Sequence, residues 1–484
     1  MYQLPTSTQR TAAAAGLDHA IDVADRVVRR VPAYRAHLRA HSCDPQRIMT
    51  RDDFAALPIT TKIDYLAPHE LDELMWDGDI SRAQTWSATS GSTGSPTYFP
   101  RDSRAARDAA DYYGRIFEEC FDIGGHTTLV VVCFAMGTWI GGTYSYQAAL
   151  GLHEDDRRIT VATPGIDVAA AVASLVELGP RHEKVILAGY PPLVKDVLDM
   201  LPADALTQDL HLLLAGEGIT ERWRDHVLER FGRLHRPERV CLMYGTAEAG
   251  VMGHETPTTV TVRRAAFTSD KLRRELFGRN ATPLTTFVEV DPMRRYTEVD
   301  EDGYLLFTID SALPLVRYRI NDQGRVLTGL ELQEVLKMSG FDDLSTIVDP
   351  EGCFVVLTGR PDVATSFYSS SIFPAQLASA FDAASVARSV TGRFCADGSP
   401  GDDHCPVLRI DVELSAGATT PEPGLAERLR SLCLAALLDN NDEFRTLRSS
   451  HGEERTTPVV NVHPYGTGPF RPGAKHTYTL RGRR

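Results

Sequence analysis

Between residues 120 and 250 strand-like and helix-like segments alternate, and this alternation restricts the fold more than any other feature of the chain. TTLVVVCFAM (127–136) and RITVATPG (158–165) read as strands, followed by a helical AAAVASLVELG (169–179). Then come KVILAGYP (184–191), helical LVKDVLDML (193–201), LHLLLAG (210–216), helical ERWRDHVLERFG (221–232) and RVCLMYG (239–245). Strands separated by helices of ten or more residues need crossover connections, so a largely parallel sheet covered on both sides is predicted for residues 80–250. The fold class is therefore α/β.

Elsewhere the texture differs. Apolar residues recur at helical spacing from Asp18 to Leu38 and again from Ser103 to Phe121. EVDEDGYLLFTI (298–309) offers two strand-like runs joined at Glu301-Asp302-Gly303, a hairpin signal, and VRYRINDQGRVL (316–327) and GCFVVLTGR (352–360) continue in short strands. Beyond Gly359 a strand, VLRIDVEL (407–414), and a helix, GLAERLRSLCLAALL (424–438), are set between the loop-like stretches ADGSPGDDH and SAGATTPEPG. A large α/β body over 1–359 with mixed sheets and covering helices, and a smaller α+β domain over 360–484, is the expected division of the 484 residues.

Charge and cysteine usage exclude other classes. Asp and Glu outnumber Lys and Arg by 65 to 51, a net charge of −14, which leaves no broad cationic face for a phosphate backbone, so nucleic acid is not expected as a partner. No apolar run approaches the ~20 residues that cross a bilayer, and the opening MYQLPTSTQR lacks a signal-peptide core; a cytoplasmic protein without a membrane partner is expected. Cys43, Cys120, Cys133, Cys241, Cys353, Cys395, Cys405 and Cys433 are scattered, without CxxC or zinc-like spacing, and read as free thiols, several in apolar stretches.

Chemistry is concentrated in a few segments. Ser87-Ala-Thr-Ser-Gly-Ser-Thr-Gly-Ser-Pro-Thr97, placed before a helix, can turn successive N–H groups toward one anion, with the hydroxyls of Ser90, Ser92 and Thr93 as further donors. It lacks the Gly-Lys-Ser/Thr ending of a P-loop, and the same composition also suits a surface linker. Glu248 follows the apolar strand VCLMYG, where open parallel sheets bind ligands and a hard cation finds oxygen. The tail from Phe470 to Arg484 runs against the net charge, with Arg471, Lys475, Arg481, Arg483 and Arg484 and no acid.

SATSGSTGSPT resembles the phosphate-binding loop of the adenylate-forming (acyl-CoA synthetase, AMP-binding) superfamily. Further segments follow in that superfamily's order. ALPITTK (56–62) is similar to the leader of its phenylacetate-CoA ligase-like branch, and Gly216-Glu217-Gly218 to its Gly-Glu-Pro. Tyr244-Gly245-Thr246-Ala247-Glu248 resembles YGxTE, Arg317 to Asp322 resembles RYRTGD, and GRPDVATSFYSSSIFP (359–374) matches GRxDDxxxxRGxxxxP in length.

The resemblance implies ATP held by Ser90, Gly91, Ser92, Thr93, Gly94 and Thr97, with Gly216, Glu217, Gly218, Tyr244, Gly245, Thr246, Asp322 and Arg360 around the nucleotide. Asp322 would accept both ribose hydroxyls, Glu248 would hold Mg²⁺, and Asp362 would be the hinge of the small domain. Lys475 would bring a cation to the charge that develops as a carboxylate meets the α-phosphate. An acyl pocket is expected along CFAMGTWIGGTY (133–144) and AGYPP (188–192), with Phe134, Met136, Trp139 and Tyr190 as walls and Gly141 and Gly142 allowing close approach.

Three departures shape the expected activity. Ala247 stands where the superfamily carries Thr or Ser, with Thr246 as its neighbour, and RYRIND lacks the Thr-Gly pair. Phe367-Tyr-Ser-Ser-Ser371 replaces the Arg-Gly segment that approaches the thiol channel. GHET (253–256) offers no Cys-rich metal ligands, so no structural zinc is expected. The implied reaction is ATP-dependent acyl-adenylate formation, then transfer to coenzyme A. The alternatives are transfer to an amine or carrier-protein thiol, and a non-catalytic nucleotide-binding relative. A small-molecule carboxylic acid is the expected partner, with a homodimer as the assembly considered.

Overall fold

The computed structural model of the chain describes residues 11–43, 47–88, 97–138, 140–154, 157–278, 281–359, 365–367, 370–398 and 406–470. In chain order its strands are β1 (Thr60–Thr61), β2 (Thr85–Ala88), β3 (Tyr98–Arg101), β4 (Thr128–Cys133), β5 (Ile159–Ala162), β6 (Lys184–Gly189), β7 (Leu210–Ala215), β8 (Val240–Thr246) and β9 (Gly250–His254). They continue as β10 (Thr286–Val290), β11 (Tyr296–Val299), β12 (Tyr304–Ile309), β13 (Leu315–Thr328), β14 (Cys353–Gly359), β15 (Thr365–Phe367), β16 (Ser370–Ile372), β17 (Val390–Asp397), β18 (Arg409–Leu414) and β19 (Val459–His463). The chain divides into two compact units: residues 1–108, 244–276 and 287–357 in one, and 109–243, 277–286 and 358–484 in the other.

In the second unit β5, β4, β6, β7 and β8 lie side by side and parallel, with Cys133 opposite Gly189, Gly189 opposite Leu214 and Ala215 opposite Met243. All six residues of β4 and of β6 are buried. Such continuous apolar runs belong to strands covered on both faces, as the alternating pattern predicts. The helices that cover them start where the sequence supplies caps. Asp167 accepts from Ala170 N–H ahead of helix Val168–Glu177, Thr220 from Trp223 N–H ahead of Glu221–Arg230, and Pro191 opens Pro191–Met200.

The same unit holds β17-β18-β19, with β18 antiparallel to β17 and parallel to β19, and the antiparallel hairpin β15–β16. Leu377, Phe381, Phe394, Ile410, Val412, Leu429, Cys433 and Phe444 belong to a hydrophobic cluster drawn only from residues 367–462, separate from the cluster on β4, β6 and β7.

In the first unit the order is β11-β12-β13-β14-β10-β9, with β1 added parallel to β13. The hairpin expected at Glu301 to Gly303 forms between β11 and β12, where Val299 faces Leu305 and Gly303 takes φ +84°. The helical run from Asp18 to Leu38 is two helices, Ala12–Arg30 and Pro32–Ala40. Pro32 forces Val31 into extended backbone (φ −105°, ψ 111°), which ends the first helix. The second long run is one helix, Ser103–Phe121.

Among the described residues seven cysteines form no disulfide, and all but Cys43 are buried. No helix of the described residues is long and apolar enough to cross a membrane.

Candidate active site

In the parallel sheet of the second unit the candidate residues follow the C-terminal ends of the strands. Phe134 comes directly after β4, Tyr190 after β6 and Gly216 after β7. This is the edge at which open α/β sheets carry ligands.

Tyr190 organises this edge. Its ring meets Phe134 edge-on at 5.1 Å between centroids. A Cβ on Gly216 would stand 2.6 Å from the Tyr190 ring, and Gly216 has φ +88°, so both space and backbone require glycine there. Burial pushes the Tyr190 phenol up to about 12, and the Glu217 carboxylate adds to the shift. Phe134 is wholly buried and Met136 is 37% exposed. Gly141 lies against the Phe134 ring, and a Cβ on Gly142 would come within 2.4 Å of the Ala135 carbonyl. The structure thus joins Phe134, Met136, Gly141, Gly142, Tyr190 and Gly216 in one wall, with Phe134 as its support beneath Tyr190. Trp139 lies outside the described residues.

The motifs of the first unit also converge. β1, within ALPITTK, runs beside β13 with Thr60 opposite Tyr318, and the Thr60 hydroxyl donates to the Val316 carbonyl at 2.9 Å. β13 carries RYRIND, with Arg317 and Asn321 in left-handed backbone (φ +46° and +70°). Arg317 donates to the carbonyls of Ala55 and Leu57 and, across 2.7 Å, to Glu298. Five residues on, buried Asp322 accepts a hydrogen bond of 2.8 Å from the Tyr244 phenol. YGTAE and RYRIND therefore meet through one short, charge-assisted bond.

Glu248 sits half-buried in the turn between β8 and β9. The Thr246 hydroxyl accepts from Ala249 N–H at 3.0 Å and closes that turn. Tyr318, buried nearby, has its phenol raised well above the ordinary value, chiefly by burial and further by Glu248 and Asp64. A single carboxylate oxygen pair suits Mg²⁺, which takes one or two protein carboxylates and completes its shell with phosphate oxygens and water. Among the described residues no group of three or more His, Cys, Asp or Glu side chains gathers into an all-protein cage.

Residues 89–96 lie outside the described residues, and with them Ser90, Gly91, Ser92, Thr93 and Gly94. Their anchors are described. β2 and β3, on either side of that segment in the sequence, pair antiparallel, with Ala88 opposite Tyr98. The segment was expected to lead straight into a helix. Instead Thr97 leads into β3, and the helix begins only at Ser103. Arg360, Asp362 and Lys475 also lie outside the described residues.

One residue not foreseen stands out. Arg101, at the end of β3 and 6% exposed, donates to the carbonyls of Ala247 and Glu248, the latter at 3.1 Å. A lone arginine after TYFP carries no sequence signal for partners so distant in the chain.

No protein-family model matches the chain, and none of the curated proteins does. Solved structures do. A 2-hydroxyisobutyryl-CoA ligase in the postadenylation state with R3-HIB-AMP aligns at a TM-score of 0.65 and 15% identity, covering 100% of this chain and 94% of that one. The same ligase with 2-HIB-AMP gives 0.65 and 16%, with the same coverage. Its open conformation with 2-HIB-AMP and CoA gives 0.54 and 16%, covering 100% and 97%. The likeness is one of architecture: the chain shares its fold with that ligase.

Proposed function

We propose that the protein activates a small carboxylic acid with ATP as an acyl-adenylate, releasing pyrophosphate, and passes the acyl group to coenzyme A. The observation that supports this reading is the Tyr244–Asp322 hydrogen bond, which joins two motifs 78 positions apart in the chain. A carboxylate has about four acceptor positions, so Asp322 can be oriented by Tyr244 and still receive ribose hydroxyls.

In this reading Ser90 to Gly94 and Thr97 bind the triphosphate, Glu217 and Tyr244 to Thr246 border the nucleotide, and Tyr190 with Gly216 borders the acyl group. Orienting the α-phosphate against the carboxylate contributes much of the rate. Bound at Glu248, Mg²⁺ would supply charge neutralisation to the phosphate oxygens. Lys475 provides the mobile cation, and a division into residues 1–359 and 360–484, with Asp362 as hinge, lets the small domain carry it in and out. The separate hydrophobic cluster of residues 367–462 supports that division. The cytoplasm is the proposed place of work.

The test is acid-dependent exchange of labelled pyrophosphate into ATP across a panel of alkyl and aryl acids. Exchange with at least one acid is expected; ATP binding by calorimetry with no exchange for any acid would mean a non-catalytic nucleotide binder. A second acceptor class is favoured by the β15–β16 hairpin, where Phe367 is buried and packs near Phe444 in place of a mobile Arg-Gly segment. AMP release that requires an added amine or carrier protein and ignores coenzyme A would decide for it.

A further inference from the structure

We infer that Arg101 is a positioning residue that sets the Glu248 carboxylate by gripping the backbone of its turn; the inference rests on the reading of Glu248 as the carboxylate facing the nucleotide's metal. Three successive carbonyls of this turn receive buried guanidinium donors. Arg101 takes Ala247 and Glu248, and Arg295 takes Ala249 at 3.0 Å. Both arginines are 6% exposed.

Burying a guanidinium is costly, and a short connection between antiparallel strands closes without one. The fork geometry explains the choice of residue, since a planar guanidinium reaches two neighbouring carbonyls at once and an ammonium cannot do so in the same fixed plane. Holding all three carbonyls fixes the peptide planes on both sides of Glu248, and with them the direction in which its side chain leaves the backbone. Arg101 also ends the strand that leaves residues 89–96. One side chain thus ties the end of β3 to the turn that carries the carboxylate.

The experiment titrates Mg²⁺ at fixed ATP and reads protection against thermal unfolding together with pyrophosphate exchange, in the full-length protein. For Arg101→Ala the half-saturating Mg²⁺ should rise about tenfold and exchange should fall by ~10²-fold, the scale of a misplaced catalytic group. ATP binding without Mg²⁺ should stay within about twofold, because no phosphate or base contact is assigned to Arg101. Arg101→Lys should fall between. The double variant Arg101→Ala/Glu248→Gln should be no worse than Glu248→Gln alone, since both changes act through one carboxylate.

A wild-type Mg²⁺ midpoint in Arg101→Ala, or additive losses in the double variant, would overturn the inference. If Glu248→Gln itself leaves the midpoint unchanged, the reading of Glu248 fails instead. Should Arg101→Ala not fold, Arg101→Lys decides, and an unshifted midpoint there sinks the proposal.

Discussion

Arg393 reaches Asp196 across 3.2 Å, joining strand β17 to helix Pro191–Met200 where the two side chains are 11% and 1% exposed. The Tyr465 phenol donates to the same Asp196 oxygen at 3.0 Å, while Arg393 also pairs with Glu413 at 2.9 Å. One guanidinium therefore serves two buried carboxylates. Burial pushes the Asp196 carboxyl up to about 6, against the pull of Arg393 and Tyr465, with Glu413 raising it and Lys195 lowering it. A carboxyl raised from 3.8 favours the folded state fully below 3.8, and that contribution is lost as pH climbs through about 6. Asp196→Asn removes the titration. Its stability relative to the natural protein, from urea midpoints, should rise by roughly 2–3 kcal/mol between pH 4 and pH 7.5. A flat difference across that interval would show that Asp196 titrates no differently in the folded protein.

The Tyr244–Asp322 bond gives a prediction about binding rather than stability. Tyr244→Phe keeps the ring and removes the donor, at a cost of about 1–2 kcal/mol for a hydrogen bond to a charged group. KM for ATP in pyrophosphate exchange should rise roughly tenfold with kcat little changed, the mark of a uniform binding contribution. Asp322→Ala should raise KM further. An unchanged KM in both would remove these residues from the nucleotide site.

How far the sequence could be read depended on the range of the interactions involved. β4, β6, β7 and β8 were legible because strands buried on both faces must be continuous apolar runs, and the Gly303 hairpin because its turn chemistry is local. β3 was missed since TYFPR is short and holds Pro100, so no alternating pattern appears. The grip of Arg101 on the Glu248 turn was beyond reach, because its partners lie 146 and 147 positions away and are backbone carbonyls, which carry no residue-type signal. Phe134 was legible as part of the acyl wall only by resemblance. Its full burial under Tyr190 emerges once β4 and β6 are placed in register.

Gly216 and Tyr190 form a tight pair with a measurable consequence. Gly216→Ala places a methyl 2.6 Å from the Tyr190 ring at φ +88°. Backbone strain and a displaced ring together should destabilise the protein by about 1–3 kcal/mol. Tyr190→Ala alongside it relieves the contact and leaves the strain, so the double variant should recover part of the loss. The acid preference in pyrophosphate exchange should shift in both variants. Thermal melts with no loss for Gly216→Ala would contradict the contact, and an unaltered acid preference would move the acyl wall elsewhere.

The role proposed for Lys475 predicts a sharp separation between the two half-reactions. Forming the adenylate brings an anionic carboxylate against an anionic phosphate, and the charge that develops calls for a cation delivered to a water-poor site. Its consumption, the attack of a thiol on an acyl-adenylate already formed, makes no such demand on the same lysine. Lys475→Ala should therefore lower pyrophosphate exchange by ~10²–10³-fold or more and still convert supplied acyl-adenylate to thioester at near the natural rate. Equal loss of both half-reactions would place Lys475 in the stability of the C-terminal segment. Equal retention of both would return the tail from Phe470 to Arg484 to the status of a solvated basic end.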